Sequence, residues 1–274
     1  MPHMFGHLKN GFKTTASQTF VLLVLWMYHF AWGFALLLYV KSIVDPLLHR
    51  FPGEHLAPSA SHLFMAEAQF RLMKTDISYA PLWLLLGFAG ARMLLTPLLN
   101  AGVYYSLHNP HMNSGYRFFQ GIRRLGRPFL GYYAAQTILT LAPLYWLYPI
   151  VYGAFGKHGD YLSLGLALLP WVAGYALYGF LLRLVFMYIQ LGKTSEQSLG
   201  QSLGLLLRKL PLIAAAAVTL LVLSGIVTAA ALSASLIWAG ISAILLQQLF
   251  HIVSMMFKLW GIATQYHVYA SEAD

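Results

Sequence analysis

Six long apolar stretches, nearly free of charged residues, constrain the fold of this chain more than any other feature. A helix needs roughly 20 apolar residues to cross the hydrocarbon core of a bilayer, and each stretch meets that length. Because no water reaches the hydrocarbon, each backbone polar group needs a protein partner, which an α-helix supplies within one segment. The sequence therefore predicts an all-α, polytopic transmembrane six-helix bundle in a single domain, residues 1–274. Its spans are predicted at 17–40, 79–107, 128–153, 161–191, 210–232 and 236–266.

The composition agrees with a membrane protein and argues against a soluble one. Hydrophobic residues make up 59% of the chain and charged residues only 9%, whereas soluble domains carry about 25% charged residues. A soluble core buries one or two apolar helices, but not six of spanning length. The first apolar stretch is also too long for the hydrophobic region of a signal peptide, and no small-x-small cleavage site follows it. We therefore expect it to be retained as a span.

The net charge of +9 is unevenly distributed between the two sets of connecting segments. Cationic excess marks the cytoplasmic side of membrane proteins, so the pattern predicts that both termini are cytoplasmic (N-in/C-in). It also favours the phosphates of membrane lipids over nucleic acid as the partner of these cations. In the segments before 17, at 109–127, at 192–209 and after 266, the acids are Glu196, Glu272 and Asp274, and the cations are Lys9, Lys13, Arg117, Arg123, Arg124, Arg127, Lys193, Arg208 and Lys209. On the other side, cations and acids balance one for one: Lys41, Arg50, Arg71, Lys74 and Lys157 with Asp45, Glu54, Glu67, Asp76 and Asp160.

The chain also predicts an internal repeat of three hairpins, at about 1–110, 111–192 and 193–274. A shift of 83 residues aligns Tyr105 with Tyr188, Gly121 with Gly204 and Pro128 with Pro211. In both copies a span ends at the tyrosine, a basic amphipathic segment follows, and we expect proline to open the next helix. The N-terminus, with Gly11-Phe12-Lys13 before the first span, is a degenerate first copy. Residues 49–78 form a predicted extracytoplasmic insertion with an amphipathic helix.

We call the basic segments that precede the spans the basic lead-ins. They are residues 116–127, residues 199–210 and, in the degenerate first copy, the residues before 17. Such segments tend to lie in the headgroup plane with their cations on lipid phosphates. They are either ordinary topology anchors or a dedicated site for anionic lipid or a partner protein, and the pattern does not decide between them. The candidate lipid- or partner-binding residues are Arg117, Arg123, Arg124, Arg127, Arg208 and Lys209.

Polar side chains inside the predicted spans are the second group of candidates, because polar groups in hydrocarbon are costly and often functional. Arg92 lies near the middle of the second span, and Arg183 and Lys258 lie nearer the cytoplasmic end, where snorkelling is the simpler account. Gln247, His251, Ser254 and Lys258 share one face of the sixth span. This stripe either hydrogen-bonds to neighbouring helices or lines a pathway. The full set of candidate cavity-lining residues is His29, Arg92, Gln136, Gln247, His251, Ser254 and Lys258.

Motifs for catalysis, metals and cofactors are absent from the sequence. There is no cysteine, no Gly-x-Ser-x-Gly elbow, no phosphate-binding Gly-x-x-x-x-Gly-Lys-Ser/Thr loop and no pair of acids within a span. The histidines lack the spacing of a zinc site, which needs about four ligands in a tetrahedral array. We therefore expect no catalytic residues, no metal and no cofactor.

The lead-in pattern of Gly121-Ile122-Arg123-Arg124 and of Arg208-Lys209-Leu210-Pro211 resembles a broad group of bacterial proteins. These are six-helix integral membrane proteins, and they include the membrane domain fused to some glycerophosphodiester phosphodiesterases. The resemblance implies a multi-pass protein of the bacterial cytoplasmic membrane. The soluble phosphodiesterase barrel is missing from this sequence, so no hydrolytic activity and no catalytic residue transfers.

The function expected from the sequence is non-enzymatic. We expect an integral membrane protein that engages anionic lipid headgroups or a partner membrane protein through its basic cytoplasmic face. The alternative is a small transporter or channel for an anionic or lipid-like solute, lined by Arg92 and the polar stripe of the sixth span. Membrane lipids are the expected partners, with a second membrane protein or a homo-oligomer as further candidates.

Overall fold

The computed structural model describes residues 2–48, 79–157, 160–237 and 241–273, and within these ranges the chain is α-helical and contains no strand. The predicted all-α class is confirmed. The predicted insertion at 49–78, with its histidines, lies outside the described residues. The helices are α1 (Pro2–Ser17), α2 (Thr19–Leu48), α3 (Tyr79–His108), α4 (Ser114–Leu141), α5 (Leu144–Lys157), α6 (Tyr161–Thr194), α7 (Leu199–Ile237) and α8 (Ile241–Ala273).

Five helical stretches of the described chain are long and apolar enough to cross a membrane: Thr19–Ser42, Leu82–His108, Ser114–Lys157, Tyr161–Thr194 and Leu199–Ala234. At most 17% of the residues in the most apolar window of any of them are buried in the protein. Their apolar side chains therefore face outward over a far larger area than a soluble surface tolerates. Hydrocarbon is the solvent that such a surface requires, so the structure supports a membrane protein. The predicted sixth span, 236–266, includes residues outside the described part.

We expected the basic lead-ins at 116–127 and 199–210 to be separate segments in the membrane interface, but the structure joins each to the span that follows. Pro128 lies inside α4 and Pro211 inside α7, so both of these lead-ins continue into their spans without a break. The expectation that proline opens the next helix is therefore wrong at both positions. Proline removes one backbone hydrogen bond from a helix interior. The carbonyls that lose their donor are those of Arg124 and Leu207, and both residues are exposed.

A proline does interrupt the predicted third span, 128–153, which the structure divides into α4 and α5. Pro143 follows the last turn of α4 and has no N–H to donate to Leu139 O. The hydroxyl of Tyr178, on α6, donates to Leu139 O at 2.8 Å, and the hydroxyl of Tyr175 donates to Thr140 O at 3.0 Å. A neighbouring helix thus satisfies carbonyls that the break releases within the apolar part of the protein.

Helix α7 is longer than the sequence predicts. We interpreted residues 231–235, with their alanines and serines, as a turn between the last two spans, but α7 continues to Ile237. Neither glycine nor proline lies in that run, so nothing in it opposes helix.

The chain divides into two compact units, the first made of Met1–Leu23 and Pro97–Asp274 and the second of Val24–Thr96. In the second unit α2 packs against α3 through aromatic rings: Phe88 contacts Trp32 and Tyr39 edge to face, with centroids 5.8 Å and 6.2 Å apart. Tyr28 and Thr96 join their hydroxyls at 3.0 Å.

The core of the first unit lies where the basic lead-ins meet the ends of the spans. We call this region the basic end, and it comprises residues 2–18, 101–129, 184–209 and 255–270. The structure thus brings together the segments that the charge pattern assigns to one side. The largest fully buried side chains of this region include Tyr188, Tyr269, Phe118, Phe129, Leu191 and Leu259.

Close helix contacts at small residues hold each lead-in against the end of a span. A methyl group placed on Gly121 would come within 2.9 Å of Ala101 O, so α4 approaches the backbone of α3. Gly11 of α1 lies equally close to Thr264 of α8. In the third case Ser202 of α7 packs against Gly192 of α6. Gly204, which the repeat aligns with Gly121, has open space around it. The three-hairpin repeat stays a prediction, and this last position departs from it.

Candidate functional site

Arg117 differs from the other basic residues predicted to bind lipid or a partner, because its side chain is buried, with only 4% exposed. Its Nη2 donates to Gln18 Oε1 at 2.8 Å and its Nη1 to Pro110 O at 2.9 Å. The guanidinium therefore caps the C-terminal end of α3, where the helix dipole favours a cation. The structure removes Arg117 from the exposed basic surface and gives it a structural role.

Gln18 completes this buried arrangement, and no sequence pattern singled it out. It lies at the junction of α1 and α2, is 3% exposed, and donates from Nε2 to Ser106 O at 3.2 Å. One side chain thus bridges the lead-in of the first span, the end of α3 and the cation from α4. A glutamine between two helices carries no sequence signal for such a role, since most are solvated.

The remaining basic candidates are accessible. Arg123, Arg124, Arg127 and Arg208 are exposed and Lys209 is half-buried. Arg124 forms an ion pair with Glu196 at 2.7 Å, with side chains 59% and 74% exposed. A pair so well solvated contributes at most about 1 kcal/mol to stability. The pair neutralises one cation of this surface.

Two shallow clefts combine these cations with neutral groups. In the first, on the lead-in of α4, Arg123 and Arg124 lie beside Tyr116 and Phe119, whose side chains are 64% and 62% exposed. Exposed aromatic rings next to cations are typical of segments that rest in a membrane interface. In the second, on the lead-in of α7, the lining residues are Gln197, Gly200, Gln201, Gly204, Leu205, Arg208 and Lys209.

A buried hydrogen-bonded chain connects α6, α7 and α8 at the basic end. Tyr188 donates to Gln265 Oε1 at 3.0 Å, and Gln265 Nε2 donates to Ile213 O at 3.0 Å. One turn further along α8, Tyr269 lies 3.3 Å from the Ser202 hydroxyl and donates to Gln197 Oε1. Burial raises the pKa of Tyr269, so its phenol stays protonated and acts as a donor. The sequence singled out Tyr188 as a repeat marker but not this network.

The candidate cavity-lining residues are divided between the two units. Arg92 and His29 belong to the second unit, where Arg92 is exposed and His29 Nδ1 lies 2.9 Å from Leu25 O. Gln136 is half-buried on α4, and its backbone carbonyl accepts from Thr140. On α8, His251 is half-buried, and the side chain of Gln247 lies outside the described part of the structure.

Ser254 and Lys258, the rest of the stripe, do line a cavity. It has a volume of about 380 Å³ and lies among α6, α7 and α8. Arg183 of α6 lines the same cavity, although the sequence favoured simple snorkelling for it. Among the described residues, no group of three or more His, Asp or Glu side chains is arranged to hold a metal ion.

Comparison of the chain with protein-family models, with curated proteins and with solved structures finds no match. The resemblance to the membrane domain of some glycerophosphodiester phosphodiesterases stays a prediction.

Proposed function

We propose that this chain is a non-enzymatic integral membrane protein that engages anionic lipid headgroups through its basic end. The observation that carries the proposal is the cleft on the α4 lead-in, where Arg123 and Arg124 lie beside the exposed rings of Tyr116 and Phe119. Rings of this kind sit at the level of the headgroups, and the cations beside them then meet lipid phosphates.

The length of α4 supports the same placement. Ser114–Leu141 contains 28 residues, which at 1.5 Å per residue extend about 42 Å, more than the hydrocarbon thickness of about 30 Å. Part of an upright α4 therefore lies outside the hydrocarbon. The cationic first turns of α4 are the part that benefits from leaving it.

The proposal is tested on protein reconstituted into nanodiscs of phosphatidylcholine and phosphatidylglycerol. A variant with Arg123, Arg124, Arg127, Arg208 and Lys209 all changed to Gln is compared with the native chain. Each cation near a surface of anionic lipid contributes on the order of 1 kcal/mol, so we expect the preference of spin-labelled phosphatidylglycerol for the protein boundary to disappear. The native preference should also weaken as salt is raised.

Lys41→Gln combined with Lys157→Gln is the matched control, since both side chains are exposed and lie outside the basic end. This variant should keep the native lipid preference. If the variant with all five cations changed to Gln also keeps the preference for phosphatidylglycerol, the lipid proposal fails. A partner membrane protein is then the remaining candidate for this basic surface.

A small transporter or channel is the second candidate function. The observation in its favour is the cavity that Ser254 and Lys258 line together with Arg183. This candidate requires that proteoliposomes containing the native protein move an anionic or lipid-like solute, and that Arg92→Leu or Lys258→Leu reduces the flux while the protein stays folded. The absence of any flux with the native chain would exclude it.

A further inference from the structure

The cavity among α6, α7 and α8 has the charge of an anion-binding site. Arg183 and Lys258 line it from two different helices, and the described lining residues include no Asp or Glu. Its volume of about 380 Å³ falls within the range of sites that bind small molecules, roughly 300–1,000 Å³. Arginine and lysine side chains are the groups with which proteins bind carboxylates and phosphates.

The buried hydrogen-bonded chain at the basic end sets both cations at a similar depth. Gln265 is joined to Tyr188 of α6, which fixes the register of α6 against α8. Arg183 precedes Tyr188 by five residues and Lys258 precedes Gln265 by seven. At 1.5 Å per residue, the Cα atoms of Arg183 and Lys258 lie about 8–10 Å along their helices from those of Tyr188 and Gln265, on the side away from the basic end.

Three of the four neutral polar residues that line the cavity already have hydrogen-bond partners. The Thr228 hydroxyl donates to Ser224 O at 2.7 Å, and the Ser224 hydroxyl donates to Leu221 O at 2.9 Å. Gln265 uses its amide on Tyr188 and Ile213. A sugar or another polyhydroxylated solute would therefore find few donors in this part of the cavity. What the lining offers is positive charge and apolar surface.

The cavity opens on the outside of the protein at the level of the spans. Leu221 is 60% exposed and Arg183 is exposed, and both lie within stretches apolar enough to cross a membrane. Further lining comes from Phe180, Leu220 and Phe250. A molecule that enters this mouth comes from the bilayer and places an apolar portion along these side chains.

We propose that this cavity binds an acyl-chain lipid with an anionic headgroup, the headgroup between Arg183 and Lys258 and the chain along the apolar lining. A phospholipid and a fatty acid share this chemistry. The site is separate from the basic surface discussed above, because it is not lined by any of the five cations of that surface, Arg123, Arg124, Arg127, Arg208 and Lys209.

The experiment is native mass spectrometry of the purified chain in mild detergent, with dioleoyl phosphatidylglycerol, dioleoyl phosphatidylcholine or oleate added in separate arms. We expect one tightly held phosphatidylglycerol per chain, with phosphatidylcholine at least tenfold weaker. The oleate arm shows whether a lipid with a carboxylate headgroup binds to the cavity as tightly as one with a phosphate. Arg183→Gln with Lys258→Gln should reduce the occupancy of the anionic lipid at least tenfold.

Leu221→Trp is the second variant, and it fills the mouth of the cavity without changing any charge. Because Leu221 is largely exposed, the substitution does not overpack the core, and it should displace the lipid from a chain that keeps its native melting temperature. Lys157→Gln, which removes an exposed cation that does not line the cavity, is the matched control and should retain the lipid.

Two results overturn the proposal. One is equal binding of phosphatidylglycerol and phosphatidylcholine by the native chain. The other is native occupancy in both the double variant and Leu221→Trp. The five-fold variant of the basic surface distinguishes the two proposals: it should lose the boundary preference for phosphatidylglycerol and still hold the single lipid of the cavity.

Discussion

The guanidinium of Arg117 and the side-chain oxygen of Gln18 meet at 2.8 Å across 99 residues of chain, and both side chains are buried. The cation has no carboxylate partner among its hydrogen bonds. It relies instead on an amide oxygen and on the carbonyls that follow α3. This contact holds the first lead-in, the end of α3 and the start of α4 in one place.

Replacing Arg117 should therefore destabilise the protein much more than replacing a neighbouring cation. Arg117→Ala leaves Gln18 Oε1 and Pro110 O without their donor, and we expect a loss of about 1–3 kcal/mol in the free energy of unfolding. Arg123→Ala, at an exposed position, should change it by less than about 0.5 kcal/mol. Thermal unfolding of the two variants in detergent micelles makes the comparison. Equal melting temperatures would contradict the buried role of Arg117.

Gly121 and Gly204 form a matched pair for testing helix contact. Alanine at Gly121 places a methyl group within 2.9 Å of Ala101 O, whereas the space beside Gly204 is open. We expect Gly121→Ala to destabilise by about 1–3 kcal/mol through overpacking. Gly204→Ala should be neutral or stabilise by up to about 1 kcal/mol, since alanine favours helix. Chemical or thermal unfolding of both variants decides this, and a stabilised Gly121→Ala would refute the close contact of α4 with α3.

Tyr178 should contribute to stability through the carbonyl that Pro143 leaves without a donor. Tyr178→Phe removes the 2.8 Å hydrogen bond to Leu139 O, and an unsatisfied carbonyl in an apolar setting costs about 1–3 kcal/mol. Tyr145→Phe is the control, because that side chain is 82% exposed. The two melting temperatures should differ. If a second substitution, Pro143→Ala, restores the stability of Tyr178→Phe, the proposed cause is supported.

The two hydroxyls of Tyr269 and Ser202 should be energetically coupled. They lie 3.3 Å apart, and Tyr269 also donates to Gln197. Tyr269→Phe and Ser202→Ala should each destabilise by about 1 kcal/mol, and the double variant by less than the sum of the two. A double-mutant cycle from equilibrium unfolding measures the difference. Strict additivity would show that the two groups act independently.

Acid should weaken the contact between α1 and α8 through His267. Burial, with a further contribution from His7, lowers the pKa of His267, and its Nε2 lies 2.8 Å from the Thr14 hydroxyl. A folded pKa below the unfolded value of about 6.5 means that the unfolded chain binds the proton more readily. Stability should thus be complete above that value and fall as pH decreases through the window below it.

His267→Gln should make the unfolding free energy less dependent on pH in this window. His111→Gln serves as the control, since His111 is exposed, and it should leave the native dependence in place. A native pH profile in His267→Gln would assign the dependence to another group.

Five of the six predicted spans overlap helical stretches long and apolar enough to cross a membrane, because length and apolar character alone decide whether a helix suits hydrocarbon. Proline was harder to interpret. Pro128 and Pro211 lie within helices and Pro143 accompanies a break, yet all three lack the backbone N–H that a helix interior needs. The difference lies in the neighbours, such as the hydroxyl of Tyr178, which no local pattern shows.

The candidate residues divide in the same way. A basic residue in a connecting segment is normally solvated, and Arg124 and Arg208 are exposed in the structure. Arg117 is an exception because tertiary packing covers it with α1 and the end of α3. Likewise Lys258 belonged to a visible stripe on its own helix, but the approach of Arg183 to the same cavity depends on how α6 packs, which one helix cannot reveal.

The packing of α1 on α8 joins the first and the last helices of the described chain: Trp260 Nε1 donates to Leu8 O at 2.8 Å across 252 residues of sequence. During synthesis, a ribosome makes Leu8 252 residues before Trp260, so α1 is formed well before its docking surface on α8. Docking of α1 therefore follows the synthesis of α2 to α7. This contact can form only after α8 has been made.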